Sequence, residues 1–173
     1  GTLKGKTAKH QFQELIDALD RLTEVTLIFT KPNSDKGGAS IIKMIDDYVI
    51  RNPTKSISFN SLGQLRYLSA LQYVDFVIGN SSSGILEVPI FKKPTINIGD
   101  RQKGREMTKS IINCKPNRNE ILQAIQKALN VQFKIEIQNQ SNPYGNGTAT
   151  NKIMNVLRIS HLENTKKSFY DLL

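Results

Sequence analysis

Val74-Asp75-Phe76-Val77-Ile78-Gly79-Asn80-Ser81-Ser82-Ser83-Gly84 runs from β-branched and aromatic residues straight into a turn of small polar ones. Val74 to Ile78 is the most strand-like segment in the chain, and the turn after it leads into a short helix from about Ser83. Pro89 keeps that helix short or kinked, because its ring would clash with the carbonyl of Ile85 and it has no N–H to donate. In open α/β sheets ligands sit beyond the carboxyl ends of the strands, and phosphates gather where a tight turn enters a helix.

Strand and helix alternate on both sides of this stretch. Upstream, Phe12, Leu15, Ile16, Leu19 and Leu22 fall at helical spacing and are followed by a β-rich run, Val25 to Thr30. After the turn-forming residues Pro32 to Gly38, Ile41, Ile42, Ile45, Tyr48 and Val49 make a second one-faced helix. Ser56 to Phe59 then reads as a strand and Gly63 to Tyr73 as a helix. Downstream come a strand at Pro94 to Ile98, a polar loop from Gly99 to Lys109, a strand at Ser110 to Asn113, and a helix with Ile121, Leu122, Ile125, Ala128 and Leu129 inward. Beyond Asn130 the pattern loosens into a polar loop over 138–147, and two helices, about 149–160 and 162–172, close the chain. Parallel strands need crossover connections, usually helical, so this order predicts a doubly wound, Rossmann-like α/β fold: a parallel sheet with helices on both faces. One domain over 1–173 is the expectation, with no internal repeat.

Lys and Arg number 24 against 15 Asp and Glu, a formal charge of +9 that admits nucleic acid, anionic membrane or a phosphorylated ligand as partner. The cations are scattered, with no long basic run and no aromatic-rich RNA-binding signature, which favours a solvated surface with one phosphate site over nucleic acid. No apolar run approaches the roughly 20 residues of a membrane helix. The basic start, Gly1 to Lys6, has no apolar segment behind it, so no secretory signal and no membrane span are expected. The single cysteine, Cys114, excludes an internal disulfide and reads as a small apolar residue at a strand end, which fits a reducing cytoplasm. No metal site or cofactor is expected.

At the serine turn, small residues let the backbone approach a ligand closely, and the hydroxyls of Ser81, Ser82 and Ser83 can donate to phosphate oxygens. A lone serine before a helix is usually an N-cap, but three in a row between Gly79 and Gly84 favour an anion cradle. Glu87 would repel a phosphate, so it faces either a ribose hydroxyl pair or solvent. The loop Gly99-Asp100-Arg101-Gln102-Lys103-Gly104-Arg105 brings three cations to the same sheet edge, where the planar fork of an arginine suits a diphosphate. Asn33 and Asp35 in the Pro32 to Gly38 loop can turn the chain or touch ligand, with the turn favoured. His10 and His161 sit away from this edge, and no general acid–base pair is evident. A binding half separate from its chemical half is implied.

Ile78-Gly79-Asn80-Ser81-Ser82-Ser83-Gly84-Ile85-Leu86-Glu87-Val88-Pro89, followed by Lys93-Pro94-Thr95-Ile96-Asn97-Ile98-Gly99-Asp100-Arg101-Gln102-Lys103-Gly104-Arg105, resembles the signature of hydrolysing UDP-N-acetylglucosamine 2-epimerases. Pro32 to Gly37 and Asn142-Pro143-Tyr144-Gly145-Asn146-Gly147 extend the likeness over nearly the whole chain. The resemblance implies the C-terminal half of a GT-B-like, two-domain enzyme, with the helices of about 148–173 crossing to the other domain. It implies diphosphate contacts from Ser81, Ser82 and Arg101, with Ser83 and Gly84 in the same cradle, ribose contacts from Glu87, Asn33 lining the nucleotide site, and main-chain contacts to uracil near Ser61 and Leu62. The reaction it implies is elimination of UDP to a 2-acetamidoglucal and then hydration to N-acetylmannosamine. The resemblance also implies that the product feeds sialic-acid-type or surface-polysaccharide sugar synthesis and that the full-length enzyme is a homodimer. In such enzymes the catalytic acids lie in the first domain, which this chain does not match. The rival readings are an epimerase for UDP-diacetylbacillosamine, the donor domain of a GT-B glycosyltransferase, and, last, a basic binding module without enzymatic activity.

Overall fold

The computed structural model describes residues 7–32, 37–145 and 147–160. The chain divides into two compact units, Gly1–Pro143 and Tyr144–Leu173. The first unit runs α1 (Ala8–Leu19), β1 (Leu27–Thr30), α2 (Gly38–Arg51), β2 (Ser56–Phe59), α3 (Gly63–Leu71), β3 (Val77–Gly79), α4 (Ser83–Leu86), a 3-10 turn (Val88–Phe91), β4 (Thr95–Ile98), β5 (Ile111–Cys114), α5 (Arg118–Leu129), α6 (Val131–Glu136) and a second 3-10 turn (Ile137–Asn139). The second contains α7 (Ala149–Ile159); the helix expected over 162–172 lies outside the described residues.

Every strand pairing is parallel. β1 pairs with β2, Leu27 opposite Ser56, and β4 lies between β3 and β5, with Thr95 opposite both Val77 and Ile111. Among the described residues these form two ladders, β1-β2 and β3-β4-β5. Both flank one core, because Leu27, Phe29 and Ile78 all pack against the buried cluster that contains Leu15, Leu19, Tyr48, Ile96, Ile121 and Ile125.

β4 shows why helices cover both faces. Successive side chains of a strand point to opposite sides. Ile96 joins the cluster with Ile121 and Ile125 of α5, while Thr95, next to it, touches Gly84 of α4. Hence α5 covers one face and α4 the other, and Thr95, Ile96 and Asn97 are all buried, as expected of a strand sandwiched between helices. The doubly wound expectation holds.

Segment ends moved for identifiable reasons. β3 begins at Val77 rather than Val74, because the last turn of α3 runs on: Tyr73 and Val74 donate to the Ala70 carbonyl at 3.0 and 3.2 Å. β4 begins at Thr95 because Pro94 has no N–H; its carbonyl instead accepts from Val77 at 3.0 Å. α6, unforeseen in the sequence, starts at Val131; Asn130 before it ends α5 and caps α6, its Oδ1 accepting from the Phe133 N–H at 3.0 Å.

Candidate functional site

β3 delivers Gly79 to its carboxyl edge, and α4 follows after only three residues. The internal bonds of the turn begin where Gly84 N–H donates to the Ser81 carbonyl at 3.2 Å and Ile85 N–H to that of Ser82 at 3.0 Å. Four helical residues align too few peptides to build a full macrodipole, so the hydroxyls matter more than the sequence pattern implied. Ser81 is exposed, and Ser82 and Ser83 are half-buried. Ser82, at the N-cap position, makes no side-chain capping bond, so its hydroxyl is not committed to the helix.

Gly84 has a packing reason for being glycine. A Cβ there would lie 2.7 Å from Thr95 Cγ2, and the Gly84 carbonyl accepts from Thr95 Oγ1 at 2.8 Å. The missing side chain lets α4 settle directly on β4, which holds the three serines at the edge.

From α3, Tyr67 reaches across 16 residues of sequence to a hydrogen bond with Ser83 Oγ. Burial raises the Tyr67 phenol above its usual value; the bond to Ser83 lowers it, and the charge of Glu87 raises it further. The phenol therefore keeps its proton at neutral pH. Glu87, half-buried, lies one turn after Ser83, its N–H donating to the Ser83 carbonyl at 2.9 Å.

The loop after β4 is tied to the same turn. Gln102 is 3% exposed and donates Nε2 to the Asn80 carbonyl at 2.8 Å, anchoring the loop so that its neighbour Arg101 is exposed at this edge with no ion-pair partner among the described residues. Below it, buried Asn97 donates to Asn113 Oδ1 at 2.7 Å. Leu62 sits at the N-terminal boundary of α3, where the Ser61 hydroxyl accepts from Gly63 N–H at 3.0 Å. Asn33 lies outside the described residues.

The fold thus brings Ser81, Ser82, Ser83, Glu87 and the Arg101 loop together. Sequence reading missed Tyr67 and Gln102. Tyr67 reads as one more apolar-face residue on α3, four positions after Gly63, and only tertiary contact reveals its partner. Gln102 was hidden among cations, although an amide flanked by Arg101 and Lys103 is the residue there able both to donate and to accept. Two surface cavities, of about 510 Å³ against α1 and α5 and about 230 Å³ around Lys92 and Lys134, include no residue of the serine turn. His10 is exposed on α1, with Nε2 3.8 Å from Glu14. No helix among the described residues is long and apolar enough to cross a membrane.

The family model described as UDP-N-acetylglucosamine 2-epimerase matches residues 2–158. A Campylobacter jejuni protein named GDP/UDP-N,N'-diacetylbacillosamine 2-epimerase (hydrolyzing) is 43% identical over 133 residues, covering 77% of this chain and 34% of that protein. Polysialic acid biosynthesis protein P7 of Escherichia coli is 33% identical over 177 residues, 99% of this chain and 44% of its own length. The Methanocaldococcus jannaschii UDP-GlcNAc 2-epimerase, solved in complex with UDP-GlcNAc and UDP, superposes with a TM-score of 0.68 at 20% identity, over 88% of this chain and 41% of that one; at that identity it speaks to the fold. The chain spans less than half the length of these relatives. With the family model matching most of its length and the serine turn and Arg101 loop meeting at one strand edge, the chain belongs to the UDP-N-acetylglucosamine 2-epimerase family.

Proposed function

We propose that this chain is the UDP-binding part of a hydrolysing UDP-N-acetylglucosamine 2-epimerase. The observation that carries the reading is the Gln102 to Asn80 bond, which ties the arginine-bearing loop to the serine turn at the carboxyl edge of β3 and β4. The hydroxyls of Ser81, Ser82 and Ser83 donate to the diphosphate, and the Arg101 guanidinium bridges two of its oxygens. Glu87, held back from the phosphates, accepts from the ribose hydroxyls, and main-chain groups at Ser61 and Leu62 meet the uracil; Asn33 borders the same nucleotide.

In the full-length protein the C1–O bond to the diphosphate breaks as the proton on C2 is removed, and water then adds to the glycal to give N-acetylmannosamine. Negative charge grows on the leaving UDP, so fixed donors aimed at its oxygens favour the transition state. The groups that move protons come from polypeptide beyond this chain, in keeping with its coverage of 34% to 44% of its relatives. The active form is a homodimer. A cytoplasmic setting and a supply of product to sialic-acid-type sugars are supported by the lone Cys114 and by the name of the Escherichia coli relative. A diacetylated 6-deoxy sugar as substrate is the second reading, favoured by the 43% identity to the Campylobacter protein.

Calorimetric titration tests the binding: UDP binds the chain, and Arg101→Ala weakens it about tenfold. No heat with either protein at millimolar UDP would overturn the reading. The full-length protein supplied in turn with UDP-N-acetylglucosamine and its diacetylated analogue should release UDP and a 2-epimerised sugar from one of them without an acceptor; a need for an acceptor would point to a glycosyltransferase.

A further inference from the structure

We propose that Tyr67 is a positioning residue for the diphosphate: by donating its phenolic proton to Ser83 Oγ, it obliges Ser83 to donate its own proton outward, to a phosphate oxygen. This deepens, and rests on, the nucleotide-binding reading above.

A serine hydroxyl has one proton and two lone pairs, and its rotor points wherever the best acceptor lies. At this turn an acceptor competes with the ligand. Glu87 is half-buried and lies one turn after Ser83, with its N–H on the Ser83 carbonyl at 2.9 Å, so an undirected hydroxyl nearby can spend its proton on a carboxylate. The Tyr67–Ser83 hydrogen bond removes that freedom. Either oxygen of the pair can donate, but a phenol is a far more acidic hydroxyl than a serine and so the better donor, which leaves Ser83 its own proton to give elsewhere. A hydroxyl that is already accepting also donates more strongly, because bonds in a chain polarise one another.

The geometry around the pair is fixed on both sides. Tyr67 stands on α3, one turn beyond Gly63. Ser83 is held from beneath by Gly84 against Thr95 and from the side by Gln102 through Asn80. Tyr67 is thus free to set a proton direction rather than to hold up the backbone, and its loss should be felt by the phosphates and not by the base or ribose.

The test is a double-mutant cycle in the full-length protein, titrated with UDP and with uridine. Tyr67→Phe keeps the ring and removes only the hydroxyl; it should weaken UDP roughly tenfold and leave uridine unchanged. Ser83→Ala should weaken UDP to a similar degree, and the double variant should be no weaker than Ser83→Ala alone. Losses that add in full, equal weakening of uridine, or unchanged UDP binding in Tyr67→Phe would each overturn the proposal while leaving the nucleotide site intact. If the unmodified protein binds neither ligand, both the site and the proposal fall. Ser83→Thr retains the hydroxyl and should restore most of the UDP affinity lost in Ser83→Ala; failure to do so would also count against the proposal.

Discussion

Gly84 and Tyr67 show how differently single residues reveal themselves. Sequence reading placed Gly84 in the turn because small residues admit a ligand, and the turn is there, but the tighter constraint comes from behind it. A Cβ would meet Thr95 Cγ2 at 2.7 Å, a separation that real side chains do not tolerate. Gly84→Ala should therefore destabilise the chain by about 1–3 kcal/mol, the usual cost of overpacking, seen as a lower urea midpoint with an unchanged slope. Thr95→Ser removes the offending methyl and keeps the hydroxyl that donates to the Gly84 carbonyl at 2.8 Å, so the double variant should recover most of the loss. An unaltered midpoint in Gly84→Ala would show that α4 does not rest on β4 as described. Gln102 shows the reverse case. Its residue type carries no functional signal, and only burial together with a bond to Asn80 reveals that it joins two loops. Gln102→Leu, similar in volume but without a donor, should weaken UDP severalfold by freeing the Arg101 loop, and calorimetry reads this directly.

Among the elements, helices were more legible than strand ends. Apolar spacing fixed most of the inward faces of α1, α2 and α5, since Leu15, Ile16, Leu19, Ile45, Ile121 and Ile125 are all buried, but Leu129, expected inward on the last turn of α5, is 43% exposed. Strand limits depended on backbone bonds that no periodicity encodes, as with Val74, which α3 captures. Capping chemistry decided the rest. Asn117 caps α5 by accepting from Glu120 N–H at 3.0 Å, and the Glu120 carboxylate reaches back to the Lys115 N–H at 2.9 Å and to Asn117 Nδ2 at 3.1 Å. The Lys115 amide, first, and Asn117, second, lower the Glu120 pKa below its ordinary 4.5. A carboxylate depressed in the folded state stabilises fully above its unfolded value and loses that contribution as pH falls through the folded one. Glu120→Gln should therefore leave less to lose on acidification: the difference in stability from the unmodified chain, present at neutral pH, should shrink steadily below about pH 4.5. A difference that stays constant from pH 7 to pH 3 would contradict the assignment. Asn117→Ala removes the cap and also the amide bond to the Glu120 carboxylate, so it should cost about 1 kcal/mol for the cap where Glu120 is protonated and more at neutral pH, where the lost carboxylate bond adds to it.

For the whole molecule, the net charge of +9 was ambiguous as sequence and becomes specific once one edge collects the donors. Cations spread over a surface attract any polyanion, whereas Ser81, Ser82, Ser83 and Arg101, gathered by α4 and the Gln102 anchor, would under the proposed function select a compact one. In the UDP binding proposed above both contributions are present, and salt separates them. The diffuse field is screened within about 10 Å at 0.1 M salt and about 3 Å at 1 M, while hydroxyl donation to a bound phosphate is short-ranged. Raising salt from 0.1 to 1 M should therefore weaken UDP only severalfold, a much shallower fall than that of random DNA, whose binding would depend on releasing many counterions. Saturating UDP should also raise the thermal midpoint, since a ligand at a hundred times its Kd adds about 2.7 kcal/mol to the folded state, and Arg101→Ala should need about ten times more UDP for the same rise. If random DNA protects the chain as well as UDP and both effects vanish together at 1 M salt, the edge is a patch of charge and not a site.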